Sequence, residues 1–214
     1  MASKRNQDDQ GTVPLERADS ERIKVRERSL LSNNWARLEQ VSFDYLRSDG
    51  SWQAQTREIY HRGHGAAILL YNLQLGTIVL TRQFRYPAWT IGDEGFLLEV
   101  PAGIVEQDNP VATVVAETEQ ETGFLIGQPE FLFKAFVSPG SVTEQLFYYA
   151  APYDKQQRSG PGGGLPEEGE DIEVLEVSLQ QAVDWIAEGK IVDAKTIILI
   201  QHAQIHVFGI ATHV

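Results

Sequence analysis

The chain has 214 residues, 42% hydrophobic and 22% charged, with 18 Lys and Arg against 30 Asp and Glu, a formal net charge of −12. That length fits one domain with an appendage, or two small ones, and is enough to bury a core. An acidic chain of this kind has no electrostatic reason to seek duplex nucleic acid or an anionic membrane, and without cysteine it has no disulfide, thiolate nucleophile or cysteine zinc site.

Residues 1–28 are charged and poor in apolar clusters, which reads as a disordered or extended tail too polar for a signal peptide. No apolar run reaches the length of a membrane span, so the expected compartment is the cytoplasm. Residues 29–62 form a small β-element. Trp35 to Tyr45 alternates apolar and polar residues, Asp49-Gly50 supplies a hairpin turn, and Gln53 to Tyr60 returns as a second strand. The remaining segment, 63–214, mixes strands and helices without strict alternation, which favours a mixed sheet flanked by helices. Its expected strands are Ala66–Tyr71, Thr77–Thr81, Phe96–Val100, Phe131–Val137, Glu144–Ala150 and Ile172–Val177. Pro101-Ala102-Gly103 reads as a turn, Arg158–Glu170 as a Gly- and Glu-rich loop, Ser178–Glu188 as a helix capped by Ser178, and Lys195–His206 as a final helix.

Between the Pro-Ala-Gly turn and Gly123 lies one more helix, with Asn109 as N-cap, Pro110 at the first position and Gly123 past the end. Val111, Val114, Val115 and Thr118 fall on one face of it. Glu117 and Glu121 lie one turn apart, about 40° around the axis, beside that face and at the edge of a cleft. Two like charges so placed repel, and a hard divalent cation that takes carboxylate oxygens is the natural occupant of the space before them. The five histidines show no metal-ligand spacing except His202 and His206, a pair that reads as packed.

Gly103, Glu117, Glu121, Gly123 and Phe124 resemble the Nudix box, G-x5-E-x7-R-E-U-x-E-E-x-G-U, where U is bulky and apolar. The loop before the helix is one residue short. Asn109, Ala116, Thr118 and Gln120 replace the first Glu, the Arg, the apolar residue and one Glu. The flanking segments Tyr60–Tyr71, Arg82-Gln-Phe-Arg85, Pro101-Ala-Gly103, Ser138-Pro-Gly140 with Thr143-Glu144, Gly162–Gly164 and Glu170–Glu176 are similar to the nucleoside-diphosphate-sugar branch of that superfamily. The GDP-mannose pyrophosphatase subgroup is nearest and the ADP-ribose pyrophosphatases next.

The resemblance implies an α+β fold, a Nudix α/β/α sandwich with a mixed sheet, preceded by a small N-terminal antiparallel β-element that joins a homodimer. It implies Mg²⁺-dependent hydrolysis, with Mn²⁺ as a substitute, of a nucleotide sugar such as GDP-mannose to a nucleoside monophosphate and a sugar 1-phosphate. The implied metal ligands are the carbonyl of Ala102 with Glu117, Glu121 and Glu170. Glu170 also positions or deprotonates the attacking water. Implied substrate contacts are Trp35, Arg57, Glu58, Arg85, Gly103, Ile104, Glu144 and Lys195. Taken alone, Arg85 serves equally as an ion-pair partner, Trp35 as an interface anchor and Glu167–Glu170 as a solvated loop. Gln120 implies a weakened or missing second metal, and Ala116 a looser catalytic loop. The alternatives are ADP-ribose hydrolysis and a weakened member that binds a nucleotide sugar without cutting it.

Overall fold

The computed structural model describes residues 20–209, which form two compact units. One comprises Gly65–Lys134 and the chain from Phe147 on; the other comprises the chain up to His64 together with Ala135–Leu146.

In the unit that ends at His64, β1 (Ile23–Asn33), β2 (Arg37–Leu46) and β3 (Trp52–His61) form an antiparallel meander. Arg47, Asp49 and Ser51 close the β2–β3 turn around Gly50, whose φ of 83° suits glycine. β1 starts inside the segment assigned above to the tail. Paired opposite β2, Ile23 and Val25 alternate with charged neighbours, a strand pattern that the high charge of the segment masks. The rest of the expected tail, 1–19, lies outside the described residues. The sheet buries little of itself: Leu30, Leu31, Trp35 and Trp52 all stay exposed.

In the other unit, β4 (Gly65–Asn72) and β5 (Thr77–Phe84) are central in a seven-stranded sheet ordered β10-β5-β4-β9-β8. Here β8 is Glu130–Phe136, β9 Gln145–Pro152 and β10 Glu173–Ser178. β6 (Phe96–Glu99) pairs with β5, and β7 (Ala102–Ile104) with β4. Ala66 to Leu70 are buried without alternation, as in a strand covered on both faces. Ile68, Leu70, Val79, Val114, Phe124 and Tyr149 form one core cluster beneath the helix that carries the paired glutamates.

Three expectations are corrected, and one helix is added. Pro101-Ala102-Gly103 is not a turn: Ala102, Gly103 and Ile104 pair with Ala67, Ala66 and Gly65 as strand β7. The helix is α only over α2 (Pro110–Glu117) and continues as a π-turn over Thr118–Thr122. Within it the hydroxyls of Thr118 and Thr122 donate to the carbonyls of Val114 (2.6 Å) and Thr118 (2.5 Å), back-bonding that competes with the regular ladder. Val115 is exposed, and the buried stripe runs through Val114, Thr118, Glu121 and Thr122. Finally, α1 (Tyr86–Thr90) is a helix that sequence periodicity gives no hint of, because none of its five residues is buried. The last two helices, α3 (Leu179–Ala187) and α4 (Ala194–His202), start at side-chain caps from Ser178 and Asp193. Among the described residues no helix is long and apolar enough to cross a membrane.

Candidate active site

Asn109 caps α2 by accepting from the N–H of Ala112 at 3.1 Å, Pro110 sits at its start, and Gly123 ends the π-turn at φ 74°. These three features hold Glu117 and Glu121 on one rigid element. Glu117 is half-buried and lies against β7: a Cβ added at Gly103 would collide with its carboxylate. Gly103 is therefore required for close approach. Glu121 is deeper than the edge position expected for it. It is only 2% exposed, and its Oε2 has no hydrogen-bond partner among the described residues.

The electrostatics follow from that burial. Desolvation, then the charges of Glu170, Glu168 and Glu106, push the Glu117 carboxyl up to about 7. Desolvation, then Glu117 and Glu170, push Glu121 well above the usual carboxylate range, opposed by Arg85. Three acidic groups thus repel one another around an unpaired oxygen.

Glu170 arrives on the Gly-rich loop, and backbone hydrogen bonds tie that loop to the end of the π-turn. The N–H groups of Gly163 and Gly164 donate to the carbonyls of Glu121 (2.9 Å) and Gln120 (3.0 Å), and that of Ser159 to Gly123 (2.7 Å). The helix's orphan terminal carbonyls are satisfied in this way. Gly162, at φ 73°, has no room for a side chain, since a Cβ would lie 2.5 Å from the carbonyl oxygen of Glu121. The carboxylate of Glu170 accepts from the N–H of Leu165 at 2.8 Å.

Arg85, just past β5, pairs with Glu99 at 2.6 Å, and Lys195 on α4 reaches both Glu99 (3.3 Å) and Asp193 (3.0 Å). Burial works against the charge of Arg85, but the hydrogen bond and charge of Glu99 more than offset it, so its pKa is raised. Ala102 and Ile104 flank Gly103 in β7. The structure therefore joins Ala102, Gly103, Ile104, Glu117, Glu121 and Glu170, and sets Arg85 within electrostatic reach of Glu121.

Trp35, Arg57, Glu58 and Glu144 belong to the other unit. Arg57 and Glu58 are exposed on β3, with Arg57 bonded to Gln55 and the carbonyl of Thr56. Glu144 is buried and pairs with Arg62 at 3.4 Å, and Arg62 lies over the Trp35 ring at 5.6 Å. Sequence reasoning missed Arg62, and nothing in its spacing marks it. Glu99 was missed as well, although a carboxylate in the apolar run Phe96-Leu-Leu-Glu-Val100 is a visible signal. His202 and His206 stack at 4.6 Å, with Phe133 against His202, as a packed pair.

No three His, Asp or Glu side chains among the described residues stand ready as a closed metal cage. The donor set nevertheless fits a hard cation: carboxylate oxygens, one of them buried and unpartnered, beside a strand carbonyl. Such a site keeps water and substrate in its coordination shell instead of a complete set of protein ligands.

Residues 22–60 match the family described as the GDP-mannose pyrophosphatase NudK N-terminal domain, and residues 61–199 match the NUDIX domain. A protein of Pectobacterium atrosepticum named GDP-mannose pyrophosphatase is 47% identical over 85% of this chain and 93% of its own. Proteins of the same name from Yersinia pestis and Klebsiella pneumoniae are 44% and 42% identical, over 84% and 85% of this chain and 90% and 91% of theirs. A crystal structure titled ADP compounds hydrolase superposes with a TM-score of 0.68 at 14% identity, covering 91% of this chain and all of that one. At that identity it speaks for the fold alone, a mixed sheet flanked by helices.

Proposed function

The chain belongs to the NUDIX hydrolase family, and on that premise we propose that it hydrolyses the pyrophosphate bond of a nucleoside diphosphate sugar of the GDP-mannose type. The products are a nucleoside monophosphate and a sugar 1-phosphate. The observation that carries this reading is Glu121, a carboxylate at 2% exposure with an unpartnered oxygen and two acidic neighbours that repel it. Burying an uncompensated charge costs several kcal/mol, and a fold keeps such a group where a cation is to be held. The names of the relatives support the substrate class.

Mg²⁺, or Mn²⁺ in its place, suits the oxygens of Glu117, Glu121, Glu170 and the Ala102 carbonyl, and when bound supplies charge neutralisation of the phosphates and a more acidic water. The chain's own residues do the rest. Glu170 accepts the proton of the attacking water as its oxygen bonds to phosphorus, and the bridging oxygen leaves with the second phosphate. Arg85 and Lys195 hold phosphate oxygens, with Arg85 offering a planar fork and Lys195 a point charge. Gly103 and Ile104 form the strand floor that lets Glu117 lie flat. Trp35, Arg57, Glu58 and Glu144 supply contacts to base and sugar.

We read residues 29–62 as the dimerising element of a cytoplasmic homodimer. The dimer reading rests on the exposure of Leu30, Leu31, Trp35 and Trp52 (61%, 47%, 62% and 43%) on a sheet that buries little of itself.

Purified protein with Mg²⁺ is expected to convert GDP-mannose to GMP and mannose 1-phosphate, with ADP-ribose in the same panel as the competing substrate. No turnover of any nucleotide sugar at high enzyme and metal would reject hydrolysis. A ligand-dependent rise in melting temperature without product would instead identify a binding protein.

A further inference from the structure

Glu99 ends β6 and is 3% exposed, on a strand whose other residues are Phe and Leu. A carboxylate is seldom buried so fully unless its charge is matched. Here two cations converge on it, Arg85 reaching both oxygens, Oε1 from Nε at 3.4 Å, and Lys195 reaching Oε1. Oε2 accepts from Arg85 Nη2 at 2.6 Å and Nε at 3.1 Å, and Oε1 lies 3.3 Å from Lys195 Nζ. Lys195 is also 3.0 Å from Asp193 Oδ1. The other oxygen of Asp193 caps α4, accepting from the N–H and hydroxyl of Thr196 at 3.0 and 2.6 Å, and Thr196 Oγ1 accepts from the N–H of Val100 at 2.9 Å. The end of β5, the start of α4 and the strand path leading to Gly103 are thus joined around one buried carboxylate.

We propose that Glu99 is a positioning residue that holds Arg85 and Lys195 side by side, so that together they receive the diphosphate of the substrate. This rests on the site reading given above. Arg85 has five N–H donors and Lys195 three. Glu99 engages one edge of the guanidinium, and donors on both side chains remain for phosphate oxygens. The Arg85 side chain stays 41% exposed while that of Lys195 is 14% exposed, so one cation meets solvent and the other is braced behind it. Both side chains are otherwise rich in rotamers, and fixing them before substrate arrives removes an ordering cost from binding. Glu99 is not a catalytic residue, since it acts through the two cations.

The test is calorimetric binding of GDP at fixed Mg²⁺, together with steady-state kinetics on GDP-mannose, for wild type, Glu99→Gln, Arg85→Ala and the double variant. Glu99→Gln keeps the shape and loses the charge. About tenfold weaker GDP binding is expected, with KM raised by a similar factor and kcat altered much less, because the lost order is in substrate capture. The double variant is expected to bind GDP less weakly than the product of the two single effects would give. Mn²⁺ affinity is expected to stay at the wild-type value, which a general loosening of the fold would not leave intact. Should Glu99→Gln fail to fold, Asp193→Asn decides: asparagine still caps α4 but takes one anion from Lys195, and GDP binding is expected to weaken. Wild-type GDP affinity in a folded Glu99→Gln or Asp193→Asn protein would overturn the proposal. So would strict additivity of Glu99→Gln with Arg85→Ala, or failure of wild type to bind GDP. Wild type that binds GDP but cleaves no nucleotide sugar would overturn the hydrolase reading and leave this one standing.

Discussion

Replacing Glu121 by glutamine is expected to stabilise the metal-free protein while abolishing its response to metal. The side chain is 2% exposed, Oε2 has no partner among the described residues, and Glu117 and Glu170 both raise its pKa. A buried polar group without a partner costs about 1–3 kcal/mol, and a charged one more. Glutamine fills the same volume and still buries an amide, so only the excess cost of the charge is relieved, a gain of about 2 kcal/mol at pH 8. For a chain of this length that is about 4–8 °C in melting temperature. The pH dependence has a definite sign. A carboxyl whose pKa is higher folded than unfolded binds its proton more tightly in the folded state. Its stabilisation is complete below the unfolded value, 4.5, and is lost as pH rises through the folded one, which for Glu117 is about 7. In EDTA the variant and wild type should therefore melt together near pH 4.5 and separate progressively toward pH 8. Adding Mn²⁺ or Mg²⁺ at pH 8 should raise wild type by mass action and leave the variant in place. A thermal melt series across pH, with and without metal, measures all of this. A variant less stable than wild type in EDTA at pH 8 would refute the reasoning, because it would mean that the ionised carboxylate is already satisfied by the protein.

Other consequences are independent of that experiment. Glu170→Gln is expected to lower kcat by about 10²–10⁴, the usual worth of a general base, with smaller change in KM; steady-state kinetics with GDP-mannose decides, and unaltered kcat removes Glu170 from the chemistry. Gly162→Ala puts a Cβ 2.5 Å from the carbonyl oxygen of Glu121 at φ 73°, so a loss of about 1–3 kcal/mol in urea unfolding is expected, together with lower kcat because Glu170 shares the displaced loop. Gly103→Ala displaces Glu117 from β7 and should weaken Mn²⁺ binding measured by calorimetry; native affinity would show that Glu117 need not lie there. Leu30→Asp with Leu31→Asp, at residues 61% and 47% exposed, should shift sedimentation toward monomer with little change in far-UV circular dichroism, and a wild type already monomeric at micromolar concentration would refute the dimer.

What the sequence made legible is what local chemistry determines. Asn109, Pro110 and Gly123 bracketed the central helix because capping and positive φ are properties of single residues. Ser178 was readable as a cap for the same reason. The burial of Glu121 was not, because helical projection assumes a uniform twist, and the π-turn at Thr118–Thr122 changes the angle within that segment. β7 was hidden by Pro101 and Gly103, residues that usually mark turns. Here Gly103 serves the close approach of Glu117, and its strand pairing depends on Ala66, a residue remote in sequence. Glu99 was visible as an anomaly, but its meaning required Arg85 and Lys195, which the fold brings in from β5 and α4.

The departures from the Nudix pattern become intelligible at the same level. Asn109 stands in for a glutamate yet caps α2. The loop before it holds Gln107 and Asp108 at φ 50° and 52°, two successive left-handed residues without a glycine between them. Such conformations are sparsely populated for side chains with a Cβ, and they lead directly into the Asn109 cap. Thr118, in place of a bulky apolar residue, is fully buried with its hydroxyl on the Val114 carbonyl, so its polarity is satisfied inside the helix. Gln120 contributes its carbonyl to the Gly164 N–H while its side chain is exposed. Beside these three changes, Glu117, Glu121 and Glu170 keep the repulsive arrangement that a cation would relieve.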